Sequence, residues 1–240
     1  MRITLVLPTL NELDNLKLLL PRLKMILHSF KNYELVVVDD NSVDGTGQYV
    51  AAYAKRNNKV RLIRRLRKKG LASAIFDGAD AACGDFVVIM DADLQHDPAK
   101  IPELLKSLRS NDLTIGTRRY PLEKKTIRGR LLLLRSQTAI FLIRKVLSVR
   151  LKDPVSGYFA FRKALFDKVK NQLKPIGYEF LIDLYVKSKP GKVGFVIYSF
   201  GKRRHGKSKL GLKVMLCFFL QLFHLSWFRL RKKLMRKGIE

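Results

Sequence analysis

The sequence is poor in cysteine and has no apolar segment that is clearly long enough to cross a membrane. Its two cysteines, Cys83 and Cys217, are too few for a disulfide framework and favour a reducing compartment. Charged residues form 28% of the chain, which excludes a multi-spanning membrane protein, and the 47% hydrophobic content excludes a disordered one. The apolar run Ile3–Leu7 is short and no small-residue cleavage site follows it. We therefore expect a first strand there and no secretory signal.

Acidic residues are also scarce. The chain has 20 Asp and Glu against 48 Lys and Arg, a formal net charge of +28 at pH 7. This charge predicts an anionic partner: nucleic acid, acidic lipid headgroups or phosphorylated small molecules. The basic run RLIRRLRKK at residues 61–69 would favour nucleic acid, but no known binding motif is present and no aromatic residues are interleaved with the run. We therefore expect no nucleic-acid partner.

Three common site signatures are missing. No G-x-G-x-x-G follows the first predicted strand, no G-x-x-x-x-G-K-[ST] occurs, and no Cys and His residues have zinc-like spacing. A dinucleotide phosphate loop, an ATPase phosphate loop and a structural zinc site are therefore excluded.

Apolar runs alternate with helical patterns over the first half of the chain. The pattern predicts strands at Ile3–Leu7, Leu35–Val38, Val60–Ile63, Phe86–Met90 and Leu113–Gly116. It predicts helices between them at Glu12–Phe30, Asp44–Asn57, Leu71–Ala82 and Pro98–Arg109. In the second half it predicts helices at Ile127–Leu147 and Glu179–Val186, a loop into a short strand at Asp153–Arg162, and a strand at Val193–Ser199. This order predicts an α/β fold with a largely parallel sheet covered by helices on both faces.

Polar clusters follow the predicted strands, where ligands bind in such sheets. The strand Phe86–Met90 ends in DADLQHD, which places Asp91 and Asp93 at its tip. A lone D-x-D is weak, because strands often end in Asp. A hard cation such as Mg²⁺ or Mn²⁺, however, is commonly bound by two carboxylates together with a substrate diphosphate.

The cluster DDNSVDGT, residues 39–46, has two interpretations. Ser42 or Asp44 would cap the following helix and Gly45 would make the tight turn. Two adjacent aspartates exceed what a cap needs, and their carboxylates could accept from nucleobase N–H groups or ribose hydroxyls. Both interpretations stay open.

Seven motifs in this order resemble a family-two glycosyltransferase of the A-type fold. They are PTLNE, VVVDDNSVDGT, KGLASAIFDGADAACGD, VVIMDADLQHDP, GTR, DPVSGYFAFRK and RRHGKSKL. The last two narrow the resemblance to enzymes similar to dolichyl-phosphate mannosyltransferase, the polyprenyl-phosphate mannose synthases. The resemblance covers about residues 1–210, and it implies a Rossmann-like, mostly parallel sheet with helices on both faces.

The resemblance also implies roles for single residues. The nucleoside would be held by Pro8, Thr9, Glu12, Asp39 and Asp40. The divalent metal and the donor diphosphate would be held by Asp91, Asp93 and Gln95. The sugar and acceptor side would be lined by Arg118, Ser156 and Gly157. Arg203 and Lys209 would clamp phosphates, with a solvated basic loop as the alternative. Asp183 lies where relatives carry a glutamate, with a helix surface as the alternative.

Two departures from the family pattern affect these expectations. Relatives often have an arginine in an S-R-G-A run where this chain reads SQTA, so with Gln137 one phosphate clamp is lost or is supplied by Arg135. Longer relatives end in two or more spanning helices, a pattern not seen here. The resemblance is instead to the short eukaryotic catalytic subunit, which implies a small membrane-anchoring subunit as a partner.

The C-terminal segment reads VMLCFFLQLFHLSWF at residues 214–228 and continues as RLRKKLMRK. A helix over the first stretch would be roughly 22 Å long, short of the ~30 Å hydrocarbon core. It could be a core helix or a helix in the membrane interface, anchored by Trp227 and the basic tail. We favour the second interpretation. We expect a catalytic domain at 1–210 and a membrane-associating helix and basic tail at 211–240, at the cytosolic face of a membrane.

The resemblance implies metal-dependent, inverting transfer of a sugar, mannose from GDP-mannose, to a dolichyl or polyprenyl monophosphate. A lipid phosphate is already largely dianionic at neutral pH and needs no general base. Two alternatives stay open: transfer of glucose or another sugar from a UDP donor to polyprenyl phosphate or another acceptor, and a catalytically silent membrane scaffold that keeps the fold.

Overall fold

The computed structural model describes residues 1–67, 70–119, 127–175, 177, 180–202 and 212–236. Its strands are β1 (Ile3–Thr9), β2 (Tyr33–Asp39), β3 (Val60–Arg64), β4 (Phe86–Met90), β5 (Leu113–Arg119), β6 (Tyr158–Arg162) and β7 (Val193–Ser199). Its helices are α1 (Leu13–Leu27), α2 (Thr46–Lys55), α3 (Leu71–Asp80), α4 (Ile101–Ser107), α5 (Ile127–Leu147), α6 (Lys163–Asp167), α7 (Phe180–Ser188) and α8 (Leu212–Arg236). Short 3₁₀ turns precede α4 at Pro98–Lys100 and follow α6 at Lys170–Gln172.

The strands form one seven-stranded sheet in the order β3-β2-β1-β4-β6-β5-β7. Six strands run in the same direction, and β6 lies antiparallel between β4 and β5. The sheet is therefore mixed and largely parallel, as the alternation of strands and helices predicts. The position of β6 is not contained in that pattern, because local periodicity does not specify which strands become neighbours.

Alternate side chains of the central strands enter two separate cores. In β4, Val87 and Ile89 pack on one side of the sheet with residues of α3, α5, α7 and α8. Phe86, Val88 and Met90 pack on the other side with residues of α1, α2 and α4. This alternation follows from the two-residue period of a strand, and burial on both faces explains why the central strands read as continuous apolar runs.

The sheet topology determines which loops meet. The carboxyl ends of β1, β2, β4 and β5 share one edge because these strands are parallel. The loop that precedes β6 reaches the same edge because β6 runs the opposite way, with Tyr158 paired to Met90 at the end of β4. The motifs PTLNE, DDNSVDGT, DADLQHD, GTR and DPVSG therefore lie along one edge of the sheet.

Most predicted elements agree with the structure, with small shifts at their ends. The bounds of β4, α5 and β7 are as predicted. The segment predicted as one helix from Pro98 begins as a 3₁₀ turn, capped by the Asp97 side chain that accepts from the Ala99 N–H, and only then becomes α4. The C-terminal helix α8 is longer than the apolar stretch and includes the basic residues from Arg229 to Arg236.

Helix α8 has one buried and one exposed apolar face among its described side chains. Leu222 and Leu225 are buried and belong to the core that also contains Ile143 and Leu147 of α5. The opposite face exposes large apolar side chains at helical spacing: Leu216, Phe219, Leu220, Phe223, Trp227 and Leu230. Within the described part of the chain, no helix combines the length and apolarity needed to cross a membrane.

Candidate active site

The loops after β1 and β2 are joined by hydrogen bonds. The Asn11 N–H donates to Ser42 Oγ at 2.8 Å, and the Asn11 side chain accepts from the Val43 N–H at 3.0 Å. Asn11 has a φ of 55°, a left-handed conformation that asparagine tolerates better than most residues. The two loops thus form one rigid border of the sheet edge, at the place where the nucleoside is expected.

Asp44 links the starts of two helices. One carboxylate oxygen accepts from the Leu13 N–H at the start of α1, and the other accepts from the Thr46 N–H and hydroxyl at the start of α2. Burial alone would raise the pKa of Asp44, but these hydrogen bonds outweigh it and lower the pKa below its ordinary value. Gly45, with a φ of 90°, provides the turn. Gly45, not Asp44, is the N-cap residue of α2, so Asp44 stabilises the helix start from one position earlier.

Asp39 and three residues of PTLNE, namely Pro8, Thr9 and Glu12, are buried and hold the loop structure. Asp39 is fully buried and accepts from both the backbone N–H and the hydroxyl of Ser42. Thr9 donates to the Val38 carbonyl at 3.2 Å, and Glu12 accepts from the Asn15 side chain at 2.5 Å. Pro8 lies in β1 and is also buried. The structure places the predicted nucleoside residues together, and several of them also stabilise the loops.

Asp40 forms a buried ion pair with a residue that the sequence did not single out. Arg65 Nε donates to one Asp40 oxygen at 2.6 Å, and the Gly70 N–H donates to the other at 2.7 Å. Arg65 also contacts Asp77 at 3.2 Å and the Ser73 hydroxyl at 2.9 Å. Arg65 is 5% exposed. The Asp40 carboxylate is therefore fixed by the segment that follows β3.

Asp91 lies at the tip of β4, beside the loop that leads into β6. A Cβ atom added at Gly157 would overlap the Asp91 carboxylate, so only glycine lets the backbone approach this closely. Asp91 Oδ1 is buried and has no hydrogen-bond partner, which is unusual for a carboxylate. Asp91 and Gly157, predicted for the metal and the acceptor side, are therefore direct neighbours.

The residues after Asp91 form a tight turn. Asp93 is 6% exposed, and its Oδ1 accepts from the Gln95 N–H at 3.1 Å. Leu94 has a φ of 63°, a conformation that costs a non-glycine residue roughly 1–3 kcal/mol and is frequent at functional sites. The Gln95 side chain donates to the Gly201 carbonyl at 3.1 Å, and the Gly201 N–H donates to the Gln95 carbonyl at 2.8 Å. The turn is thereby attached to the segment after β7.

Arg118 and Ser156 are both engaged by the protein. Arg118 donates to the two oxygens of Asp153 from Nε and Nη2, each at 2.7 Å, in a bidentate pair. Ser156 Oγ is buried and donates to the Gly116 carbonyl at 2.7 Å. These bonds fasten the DPVSG loop to β5. The roles predicted for Arg118 and Ser156 on the sugar and acceptor side stay predictions. Their hydrogen bonds show that both residues hold the loop against β5.

Several predicted residues cannot be placed. Arg203 and Lys209 lie outside the described residues, and the Arg135 side chain is not described either. Gln137 on α5 is exposed.

Asp183 is 1% exposed and forms an ion pair with Lys187 at 2.5 Å, so the helix-surface interpretation is wrong for it. Burial raises the pKa of Asp183, and the Lys187 ammonium partly offsets this effect.

Sequence reasoning missed four residues at this edge of the sheet: Arg65, His96, Asp153 and Tyr198. His96 and Asp153 lie inside the motifs DADLQHD and DPVSG. Treating every polar residue of these motifs as a candidate site residue would have found them. Arg65 lies in the basic run at residues 61–69, which does not show which of its residues is buried, and Tyr198 carries no local signal. Their partners lie 25 and 102 residues away in the sequence, at Asp40 and His96.

The residues at the tip of β4 fit a divalent cation that also binds substrate phosphates. Among the residues that the structure describes, no three His, Cys, Asp or Glu side chains are grouped as a complete metal site. Mg²⁺ is typically bound by one or two carboxylates together with substrate phosphates and water, so a complete protein cage is not required. The unpartnered, buried Asp91 Oδ1 and the glycine cradle at Gly157 are what such a site needs.

Comparisons with known proteins agree with this geometry. The sequence profile described as Glycosyl transferase family 2 matches residues 4–170. The chain is 38% identical to a dolichol-phosphate mannosyltransferase of Pyrococcus furiosus, covering 94% of this chain and 64% of the relative. It is 35% identical to the Saccharomyces cerevisiae dolichol-phosphate mannosyltransferase, covering 94% of this chain and 87% of the relative.

Solved structures give the same result at the level of the fold. The crystal structure of glucosyl-3-phosphoglycerate synthase from Mycobacterium tuberculosis, in complex with Mn²⁺, UDP-glucose and phosphoglyceric acid, is similar with a TM-score of 0.66 at 20% identity. The similarity covers 100% of this chain and 80% of the other. The chain spans about 64% of the length of the Pyrococcus relative.

Proposed function

The chain belongs to glycosyl transferase family 2, and from that premise we propose that it transfers a hexose, mannose from GDP-mannose, to a dolichyl or other polyprenyl monophosphate. The names of the relatives support the sugar and the lipid acceptor. The observation that carries the proposal is the Asp91–Gly157 contact, because it joins the carboxylates of β4 to the loop before β6 at one point. A donor diphosphate and an acceptor phosphate would meet there.

The residues at the tip of β4 would hold Mg²⁺ or Mn²⁺ through Asp91 and Asp93, with the Gln95 side-chain oxygen as a further ligand. When bound, such an ion offsets the negative charge that develops on the leaving diphosphate. The border formed by PTLNE and DDNSVDGT would bind the nucleoside. These loops follow β1 and β2, and β1 is the direct neighbour of β4 in the sheet, so the border lies next to the tip of β4. The protein then positions the diphosphate with fixed, buried groups, which need little reorganisation during the reaction.

The acceptor would need orientation more than activation. A phosphate monoester has a second pKa of about 6, so it is already a good nucleophile at neutral pH. His96, the histidine beside Asp91, directs both ring nitrogens to protein partners and is 4% exposed, which does not suit a general base. Attack by the lipid phosphate on the anomeric carbon, opposite the leaving diphosphate, would invert the configuration at that carbon.

The transfer assay tests this proposal. The protein would be incubated with polyprenyl phosphate and Mg²⁺, and with radiolabelled GDP-mannose or UDP-glucose in parallel. We expect label from GDP-mannose in the organic phase and at least tenfold less from UDP-glucose. Preferential transfer from UDP-glucose would overturn the choice of donor, and no transfer from either donor would overturn the choice of acceptor.

We also propose that the exposed face of α8 docks on the cytosolic surface of a membrane. Phe223 is 73% exposed and Trp227 58%, and Arg229, Arg231 and Lys233 follow on the same helix. An apolar stripe with a basic end is typical of helices that lie in the membrane interface. Each basic residue near an anionic surface contributes about 1 kcal/mol. The acceptor supports this position, because removing a polyprenyl chain from a bilayer costs roughly 0.8 kcal/mol per CH₂.

Replacing Phe223 and Trp227 together by glutamate is expected to abolish flotation with vesicles that contain phosphatidylserine. The thermal unfolding midpoint should change little, because both side chains are mostly exposed. Met25→Glu is the matched control, since Met25 is a 71% exposed apolar residue on α1. Activity toward a short, water-soluble acceptor phosphate should survive in all variants.

The proposal of lipid docking is contradicted if the double variant floats as well as the wild-type chain. If the wild-type chain binds no vesicles, but the double variant still loses activity toward long-chain acceptor, then a protein covers this face. A small membrane-anchoring subunit would be the natural candidate in that case.

A further inference from the structure

A buried histidine connects the metal-site carboxylate to β7. His96 Nδ1 lies 2.6 Å from the Tyr198 hydroxyl, and His96 Nε2 lies 3.4 Å from Asp91 Oδ2. The ring is 4% exposed and packs against Tyr158, Tyr198 and Phe200, with ring centroids 5.3–5.6 Å apart. Neither His96 nor Tyr198 has a part in the function proposed above.

For a neutral imidazole, only one arrangement of protons satisfies both contacts. An ionised carboxylate can only accept, so the hydrogen must be on Nε2 and point to Asp91. Nδ1 is then an acceptor, and the Tyr198 hydroxyl must donate to it. Burial raises the pKa of Tyr198 well above its ordinary value, so this hydroxyl keeps its proton. The Asp91 carboxylate therefore selects the imidazole tautomer, and the Tyr198 hydroxyl, which donates to Nδ1, holds the ring in place.

Asp91 is held between two neighbours as a result. Its Oδ2 lies beside His96 Nε2 and the Gly157 backbone, whereas its Oδ1 is buried and has no hydrogen-bond partner. A separation of 3.4 Å is long for a hydrogen bond, so the effect on Asp91 is orientation rather than a large gain in stability. Metal-binding carboxylates are commonly held by such a second hydrogen bond, and its loss typically weakens metal affinity 10–100-fold.

We propose that His96 is a positioning residue that holds the Asp91 carboxylate in the orientation that binds the divalent cation, with Tyr198 as the group that holds the imidazole ring in place. This inference rests on the proposed function, because it assumes that Asp91 binds a metal. It adds a connection between the metal site and β7, the strand that leads to the segment containing Arg203 and Lys209.

Two variants of His96 separate this role from packing. In His96→Gln the amide nitrogen takes approximately the place of Nε2 and can still donate to Asp91. In His96→Asn the amide takes the place of Nδ1, so the contact with Tyr198 is kept and the one with Asp91 is lost. Both variants lose the aromatic ring and should lower the thermal unfolding midpoint by similar amounts. Packing alone therefore predicts no difference between them.

The measurement is the affinity for Mn²⁺ in the presence of GDP, and again of UDP, from the electron paramagnetic resonance signal of free Mn²⁺. We expect His96→Asn to weaken Mn²⁺ binding at least tenfold and His96→Gln no more than about threefold. Tyr198→Phe, which removes one oxygen atom and keeps the ring, should weaken binding severalfold because the imidazole loses the hydrogen bond that holds it beside Asp91.

Other results would overturn the inference. Equal Mn²⁺ affinity of the two His96 variants, whether unchanged or equally weakened, would show that donation to Asp91 has no effect on the metal. Should His96→Asn fail to fold, an unchanged affinity in Tyr198→Phe would have the same meaning. If the wild-type protein itself binds no Mn²⁺ with either nucleotide, the proposed metal site fails and the inference fails with it, a result distinct from failure of His96 alone.

Discussion

Replacing Asp93 by asparagine is expected to lower the turnover number by roughly 10²–10³-fold, the size of effect seen when one electrostatic contact to a developing charge is removed. A neutral amide is a poorer ligand than a carboxylate for a hard cation. The fold should survive, because an asparagine Oδ1 can still accept from the Gln95 N–H as Asp93 does. The measurement is steady-state transfer at saturating donor over a range of Mg²⁺ concentrations, together with the thermal unfolding midpoint.

A matched control lies in the same motif. Asp97 caps the 3₁₀ turn by accepting from the Ala99 N–H, and asparagine is an equally good cap. The turnover number of the Asp97→Asn variant should therefore stay within about threefold of the wild-type value, because we expect no contact with the transition state to be lost. Wild-type turnover of Asp93→Asn at limiting metal would refute the assignment of this carboxylate to the cation.

Replacing Arg65 by methionine should produce the largest loss of stability, about 3–5 kcal/mol, because it leaves Asp40 buried without its cation. The Arg65 side chain is 3% exposed and that of Asp40 is 6% exposed, whereas Asp77 at 23% retains access to water. For a chain of this length, the loss corresponds to a thermal midpoint lowered by roughly 6–20 °C. Nucleotide affinity should fall as well, because Asp40 loses its fixed orientation.

Arg64→Met is the control for the Arg65 variant. Arg64 is the neighbouring residue, but it is exposed. Its side chain donates to the Asn41 side-chain oxygen at 3.1 Å. Its replacement should cost less than about 1 kcal/mol. Asp40→Asn combined with Arg65→Met should be less harmful than the sum of the two changes, because the unpaired buried charge is gone. Additive losses in urea unfolding would contradict a coupled pair.

The order of elements could be predicted because it depends on local patterns. Phe86–Met90 lies between Asp85 and Asp91, Val193–Ser199 begins after Pro-Gly-Lys, and the limits of both agree with the structure. The place of β6 could not be predicted, because its pairing with both β4 and β5 depends on contacts between residues far apart in the chain. That one strand explains why the DPVSG loop reaches Asp91.

The sequence predicted that the acidic residues would lie at one edge of the sheet, but not which partners their side chains would contact. Acidic residues at parallel strand ends had to meet at one edge, so Asp39, Asp40, Asp91 and Asp93 could be grouped from the sequence. The sequence does not show which basic side chain forms an ion pair with each carboxylate. Arg118 was expected near substrate, yet it forms a bidentate pair with Asp153, 35 residues away. Such partners are set by tertiary packing, which has no local signature.

The most direct test of the account is the identity of the product formed from polyprenyl phosphate and GDP-mannose. Mass spectrometry of the lipid fraction should show the acceptor enlarged by one hexosyl group when Mg²⁺ or Mn²⁺ is present, and no such product after chelation. Nuclear magnetic resonance of the purified product should show the β configuration, inverted from the α-linked donor. A folded, metal-loaded protein that forms no hexosyl lipid from GDP-mannose, or one that forms the α-linked product, would contradict the account.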